Sequence, residues 1–264
     1  NSSVIWVTDV YLNLVTKYAP TNNYSPRHMV TDETYLYVSY YEGYVGVINP
    51  QTFDELLIEV GPNPEQMVIA NNKLYVANSG GLNYDSGYNN TVSVIDLKTL
   101  TVTNELLVTT NPCLMLKDSK GDIYLISKGN YADIPATFQK INSTTDEVTV
   151  ITEVKNPAMM AIDNKDMIYM VNSYYDENWT LHADYTTYDA ATETVGSSFI
   201  KDGTAITSPY SITVDSYGGY IFVGESDYVS TGTMYVFTKD GKLYDKFDTG
   251  GLNPHGATFI YELQ

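Results

Sequence analysis

The sequence predicts an all-β chain folded as a β-propeller of about six four-stranded blades, with seven as the alternative count and the ring closed by N- and C-terminal strands. Three observations carry this expectation. A Ser/Asn-Pro pair recurs as Ser25-Pro26, Asn63-Pro64, Asn111-Pro112, Asn156-Pro157, Ser208-Pro209 and Asn253-Pro254, with the prolines 38, 48, 45, 52 and 45 residues apart. Each of the first five pairs opens an apolar stretch that passes through a polar turn into a strand rich in Tyr and aliphatic residues. No segment shows sustained helical periodicity.

The elements follow in order within each repeat. The second strands read Tyr35–Val38, Leu74–Ala77, Ile123–Ile126, Ile168–Val171 and Tyr220–Val223. A third strand is clearest at Val92–Asp96 and a fourth at Glu105–Val108. A β-sandwich also has short, evenly spaced strands, but it gives no reason for the same Pro-led start to recur. The last repeat ends after one strand, Ala257–Tyr261, and the chain opens on Val4–Thr8, a second-strand pattern with no Pro-led strand before it. Pairing the two would remove an exposed sheet edge. Val4 to Pro20 is short for three strands, so either a strand or a further blade is expected to be missing there.

Length fits one domain, residues 1–264, since all-β folds of this size are often single. Lys plus Arg number 14 against 32 for Asp plus Glu, a net charge of -18, so a phosphate backbone would be repelled and nucleic acid is excluded as a partner. No apolar run approaches a membrane span, and the first residues lack the basic and apolar regions of a leader. Cys113 is the single cysteine, so packing rather than cross-linking must stabilise the fold. Asn1, Asn89, Asn142 and Asn178 begin Asn-x-Ser/Thr triplets, read as accidental in so Asn- and Thr-rich a chain.

Antiparallel four-stranded blades put the loop entering strand one and the loop between strands two and three at the same end. The opposite end carries ordinary turns such as Asp118–Gly121, Asn142–Thr145, Asp163–Asp166 and Lys239–Lys242. The first end is aromatic, with Tyr40, Tyr41, Tyr84, Tyr88, Tyr131, Tyr174, Tyr175, Trp179 and Tyr228 in its loops and Arg27, His28, Gln66, Tyr210 and His255 at its Pro-led entries. Rigid rings beside a few polar groups suit ligand binding, because they give contact area at small entropic cost. These residues form the candidate ligand site. No catalytic or metal set is expected: His28 and His255 occupy equivalent positions, but His182 lies in a distant loop, and a metal wants three or four ligands. Cys113 reads as a small buried thiol, and neither a nucleophile elbow nor a glycine-rich phosphate loop occurs. The Asp118/Asp122 and Asp163/Asp166 spacings suit turns rather than calcium.

Leu74-Tyr75-Val76-Ala77-Asn78-Ser79-Gly80 followed by Thr91-Val92-Ser93-Val94-Ile95-Asp96 resembles the YVTN-repeat propellers. Gly129–Pro135 with Phe138–Asn142 is similar to surface-exposed propeller lipoproteins of gut Bacteroidetes, including the BtuG-type cobalamin-binding proteins. That family tends to seven blades and its lipoproteins begin at an acylated Cys, which is not seen here. The resemblance implies a non-enzymatic protein, with no cofactor of its own, at the extracellular face of the bacterial outer membrane or secreted. It would bind a small molecule, cobalamin being the one implied, for a TonB-dependent transporter. The alternatives are a propeller lyase or hydrolase with a His base, and a module that binds protein or glycan.

Overall fold

The computed structural model describes residues 3–261 of the 264-residue chain. After a two-stranded sheet of β1 (Ile5–Thr8) and β2 (Leu14–Tyr18), the strands form five four-stranded antiparallel blades of a β-propeller, each in simple sequential order. Blade one is β3 (Pro26–Thr31), β4 (Leu36–Tyr40), β5 (Tyr44–Ile48) and β6 (Glu55–Glu59). Blade two is β7 (Pro64–Ala70), β8 (Lys73–Asn78), β9 (Thr91–Asp96) and β10 (Thr101–Leu107). Blade three is β11 (Pro112–Lys117), β12 (Ile123–Ser127), β13 (Thr137–Ile141) and β14 (Val148–Ile151). Blade four is β15 (Pro157–Ile162), β16 (Met167–Tyr175), β17 (Leu181–Asp189) and β18 (Thr194–Val195). Blade five is β19 (Pro209–Val214), β20 (Ile221–Glu225), β21 (Thr233–Phe237) and β22 (Leu243–Asp248). The described residues contain no α-helix, and no helix is long and apolar enough to cross a membrane.

The chain divides into two compact units, residues 1–151 with blades one to three and residues 152–264 with blades four and five. In the first unit, packing between blades follows from the strands' two apolar faces. Tyr37, Val45, Val47 and Ile58 of blade one meet Met67, Leu74, Val76 and Ile95 of blade two, whose other face brings Val68, Tyr75 and Val94 against Met115, Ile123 and Leu125. A strand covered on both faces reads as a near-continuous apolar run, and β8 and β12 are accordingly buried almost throughout. Each such buried side chain contributes roughly 1.5–3 kcal/mol. The outermost strands β10 and β22 are almost wholly exposed. In the second unit, Phe199 fills the corresponding layer against Val214, Val223, Tyr235 and Phe237.

The turns between third and fourth strands repeat one device. Asn49, Asp96, Asn142 and Asp189 each accept two backbone N–H groups through Oδ1, and the residue four places on takes positive φ: Phe53 61°, Leu100 55°, Asp146 61° and Glu193 56°. Asp118 and Asp163 also accept two backbone N–H groups each, between first and second strands, with the positive φ three places on at Gly121 (90°) and Asp166 (63°), which is the turn role expected of them. Of the four Asn-x-Ser/Thr sites, Asn142 thus caps a turn, Asn89 donates to the Asn78 carbonyl and Thr91 Oγ1, Asn178 lies at a hairpin tip, and Asn1 lies outside the described residues.

One expected strand does not form. Ala257–Tyr261 enters no ladder; the C-terminal segment is held instead by side chains of β19, with Ser211 Oγ donating to the Pro254 carbonyl (2.6 Å) and Ala257 N–H to Thr213 Oγ1 (3.3 Å). At the other end β1 pairs with β2 alone, so among the described residues the opening segment holds two strands.

Candidate functional site

The Pro-led entries share a feature that the sequence pattern does not display. In all five blades the pairing of the first strand with the second slips just after the proline, between Pro26/His28, Pro64/Met67, Pro112/Leu114, Pro157/Met159 and Pro209/Ser211. A bulge there re-aims the extra side chain. The preceding Asn fixes the loop beside it. Asn63, Asn111 and Asn156 have φ of 48°, 64° and 50°, a left-handed conformation that Asn tolerates. Asn63 Nδ2 donates to the Tyr41 carbonyl and its Oδ1 accepts from Leu82 N–H, while Asn111 Nδ2 donates to the Gly129 carbonyl.

In the first unit three bulge residues converge. Arg27 forms a two-pronged ion pair with Glu65, its Nε at 3.1 Å from Oε2 and its Nη2 at 2.7 Å from Oε2 and 3.0 Å from Oε1. The guanidinium lies 4.7 Å from the centre of the Tyr41 ring, so it carries an ionic and a π contact together. Cys113 adjoins the pair and interacts with both partners; burial, above all, pushes its thiol up to about 12. At neutral pH the sulfur is protonated and no nucleophile. Beside it, the Tyr131 hydroxyl reaches the Asn111 side chain and its ring meets the Tyr88 edge at 6.0 Å. Tyr84 and Tyr131 are 64% and 71% exposed. Rings, one paired cation and an open surface make an amphipathic patch.

Three predicted site residues serve the scaffold. Tyr40 is fully buried, with its hydroxyl 2.5 Å from Glu55 Oε1, and leaves the candidate set; it ends β4 pointing inward, whereas Tyr41 follows it outside the strand. His28 Nδ1 accepts the Met67 N–H (3.2 Å), and burial lowers its pKa. The ring is therefore neutral, with its proton on Nε2 and no free lone pair. Gln66 Oε1 accepts the Met115 N–H (2.9 Å), clipping β7 to β11. Glu65, absent from the predicted set, is the residue the patch most depends on, and its place directly after the repeated proline was the available signal.

The second unit holds two further aromatic groups. Tyr174 stacks on His182 across the β16–β17 hairpin (5.1 Å, 19°), His182 Nε2 pairs with Asp176 Oδ2 (2.9 Å), and Tyr175 meets Trp179 at the exposed tip (6.3 Å). Separately, the bulge residue Tyr210 touches Tyr228 (5.6 Å) and His255 (6.2 Å). Among the described residues no three His, Cys, Asp or Glu side chains are grouped to hold a metal.

No protein-family model and no curated protein sequence matches the chain. Solved structures do. Hydrazine synthase from Kuenenia stuttgartiensis matches with a TM-score of 0.75 and 18% identity over 96% of this chain and 82% of that one. A quinonprotein alcohol dehydrogenase-like protein from Bacteroides thetaiotaomicron matches at 0.63 and 15% identity, covering 92% of this chain and 60% of its own. Dihydro-heme d1 dehydrogenase NirN matches at 0.64 and 9% identity, over 94% and 52%. At these identities the likeness establishes the propeller fold and does not transfer an activity.

Proposed function

We propose that the chain is a non-enzymatic binding propeller at the bacterial surface, and that the loop end of its first unit captures a corrinoid such as cobalamin for a TonB-dependent outer-membrane transporter. The observation that carries this reading is the convergence of the Arg27–Glu65 pair, Tyr41, Tyr88 and Tyr131 on one exposed patch. A corrinoid has a broad apolar ring fringed by amides: Tyr faces and edges pack against the ring, and the free donors of Arg27 and Gln66 suit the fringe. Several such contacts of about 1–3 kcal/mol reach nanomolar affinity, near -12 kcal/mol, with no single dominant one. The YVTN and BtuG-type resemblances of blades two and three support the ligand class.

Binding rather than catalysis is favoured by the state of two groups that catalysis at this patch would recruit. His28 offers a donor, not a base, and the Cys113 thiol is held protonated. Calorimetric titration of cyanocobalamin tests the proposal. Tyr41→Ala and Tyr131→Ala should each weaken binding roughly tenfold, with Lys120→Ala, at the turn end, unchanged. No heat at micromolar protein, or affinity indifferent to both tyrosines, overturns it.

A further inference from the structure

Blade four departs from the other blades at its outer edge. Its fourth strand pairs with β17 at only two positions, Tyr188↔Val195 and Asp189↔Thr194, where the other blades pair at four to six. After β18 two backbone hydrogen bonds join the chain to β17, Gly196 N–H to Thr187 O (2.7 Å) and Phe199 N–H to Tyr185 O (3.0 Å), beside the side-chain bonds of Thr187 Oγ1 to Ser197 O (3.4 Å) and the Tyr185 hydroxyl to Ile206 O (2.9 Å). Alongside the remainder of β17 opens a cleft of about 460 Å³, within the size range of small-ligand sites, whose polar walls include Glu153, Lys155, Asn172, Asp184, Thr186 and Ser198.

Asn172 sets this cleft apart from a surface dent. It is 8% exposed, its Nδ2 donates to Thr186 Oγ1 (2.7 Å), and its Oδ1 has no hydrogen-bond partner. A buried acceptor left unmatched costs about 1–3 kcal/mol, so it is an unmet demand for a donor. Asn78, which pairs with Pro64 as Asn172 pairs with Pro157, also has an orphan Oδ1, but it is 0% exposed and does not line this cleft. The pairing register puts Asn172 opposite Asp184 and Tyr174 opposite His182, so these four side chains share one face of the hairpin.

We infer that this cleft binds a neutral polyhydroxylated compound of saccharide size. The orphan Asn172 oxygen and the Asp184 and Glu153 carboxylates need donors, whereas Lys155 needs an acceptor. A hydroxyl supplies both. A simple cation would face Lys155 and a simple anion the two carboxylates, so the charge set favours a neutral ligand. Tyr174, backed by His182, gives the flat aromatic surface on which the C–H face of a sugar ring packs. The site is independent of the corrinoid proposal, and its test uses different probes.

Saturation-transfer NMR with glucose, galactose, mannose, xylose, maltose and cellobiose at millimolar concentration decides the matter, with choline as the cationic control. At least one sugar should receive saturation from the wild type, and Asn172→Leu and Asp184→Asn should each weaken that sugar roughly tenfold. Thermal melts verify folding, and because Asp184 is exposed its variant decides alone if Asn172→Leu does not fold. Transfer to none of the sugars, transfer undiminished in a folded variant, or choline bound more tightly than every sugar overturns the inference.

Discussion

Tyr40 and Glu55 show how one residue's chemistry is set by its neighbours. Burial alone would raise the Glu55 carboxyl, but hydrogen bonds from Thr21 and from the Tyr40 hydroxyl outweigh it and hold its pKa below the ordinary value. Glu225 is held low in the same way by Tyr235 and Thr207. A carboxyl depressed in the folded state contributes stability above its unfolded pKa, near 4.3 for Glu, and that contribution is lost as pH falls through the folded value. Urea denaturation should therefore show Tyr40→Phe less stable by about 1–2 kcal/mol at neutral pH, with the deficit shrinking in acid. A deficit constant with pH would show that the hydroxyl acts by packing alone. The same hydroxyl-to-carboxylate pairing recurs at Tyr37–Asp32 (2.8 Å) and Tyr75–Asp146 (2.7 Å), so much of the tyrosine content is structural. Sequence alone could not divide adjacent Tyr40 from Tyr41, because the division depends on where the strand ends. Cys113, read as a buried thiol, is only partly buried, yet its raised pKa should make iodoacetamide at pH 8 modify it at least ~100-fold more slowly than a free cysteine.

At the scale of elements, the repeated Asn-Pro step does more than punctuate. Asn111 combines a left-handed backbone with a side-chain bond to the Gly129 carbonyl, and Gly129 itself admits no side chain, since a Cβ there would meet Ile134 O at 2.0 Å. Asn111→Ala should cost about 1–3 kcal/mol, and Asn111→Gly less, because glycine keeps the φ while losing the bond. Equal melting temperatures for the two would refute that division. The Pro-led repeat, the second strands and the turn residues were legible because each rests on local periodicity or local φ. The bulge was not, since an extra residue is visible only against the register of a partner strand. The C-terminal segment was read as a strand because it follows the last Pro-led start, yet side chains hold it: Phe259 on Phe222 (5.2 Å) and the Tyr261 hydroxyl on Asp215 (2.6 Å). Removing residues 257–264 should lower the melting temperature by several degrees, and an unchanged melt would show these contacts to be idle.

For the molecule as a whole, fold class was legible and ligand identity was not, because the propeller follows from a repeat of roughly 45 residues whereas recognition lies in side chains that converge from separate repeats. Far-ultraviolet circular dichroism should report a β-dominated protein with almost no α-helix. The division of roles is the central claim: one end of the first unit is turn chemistry, and the other is a bulge-built aromatic patch that binds. Backbone amide hydrogen exchange, with and without saturating cyanocobalamin, tests it most directly. The account predicts slowed exchange in residues 41–44, 82–90 and 129–135, with residues 118–122 and 142–146 unaffected; protection confined to the turn end, or none anywhere, would contradict it.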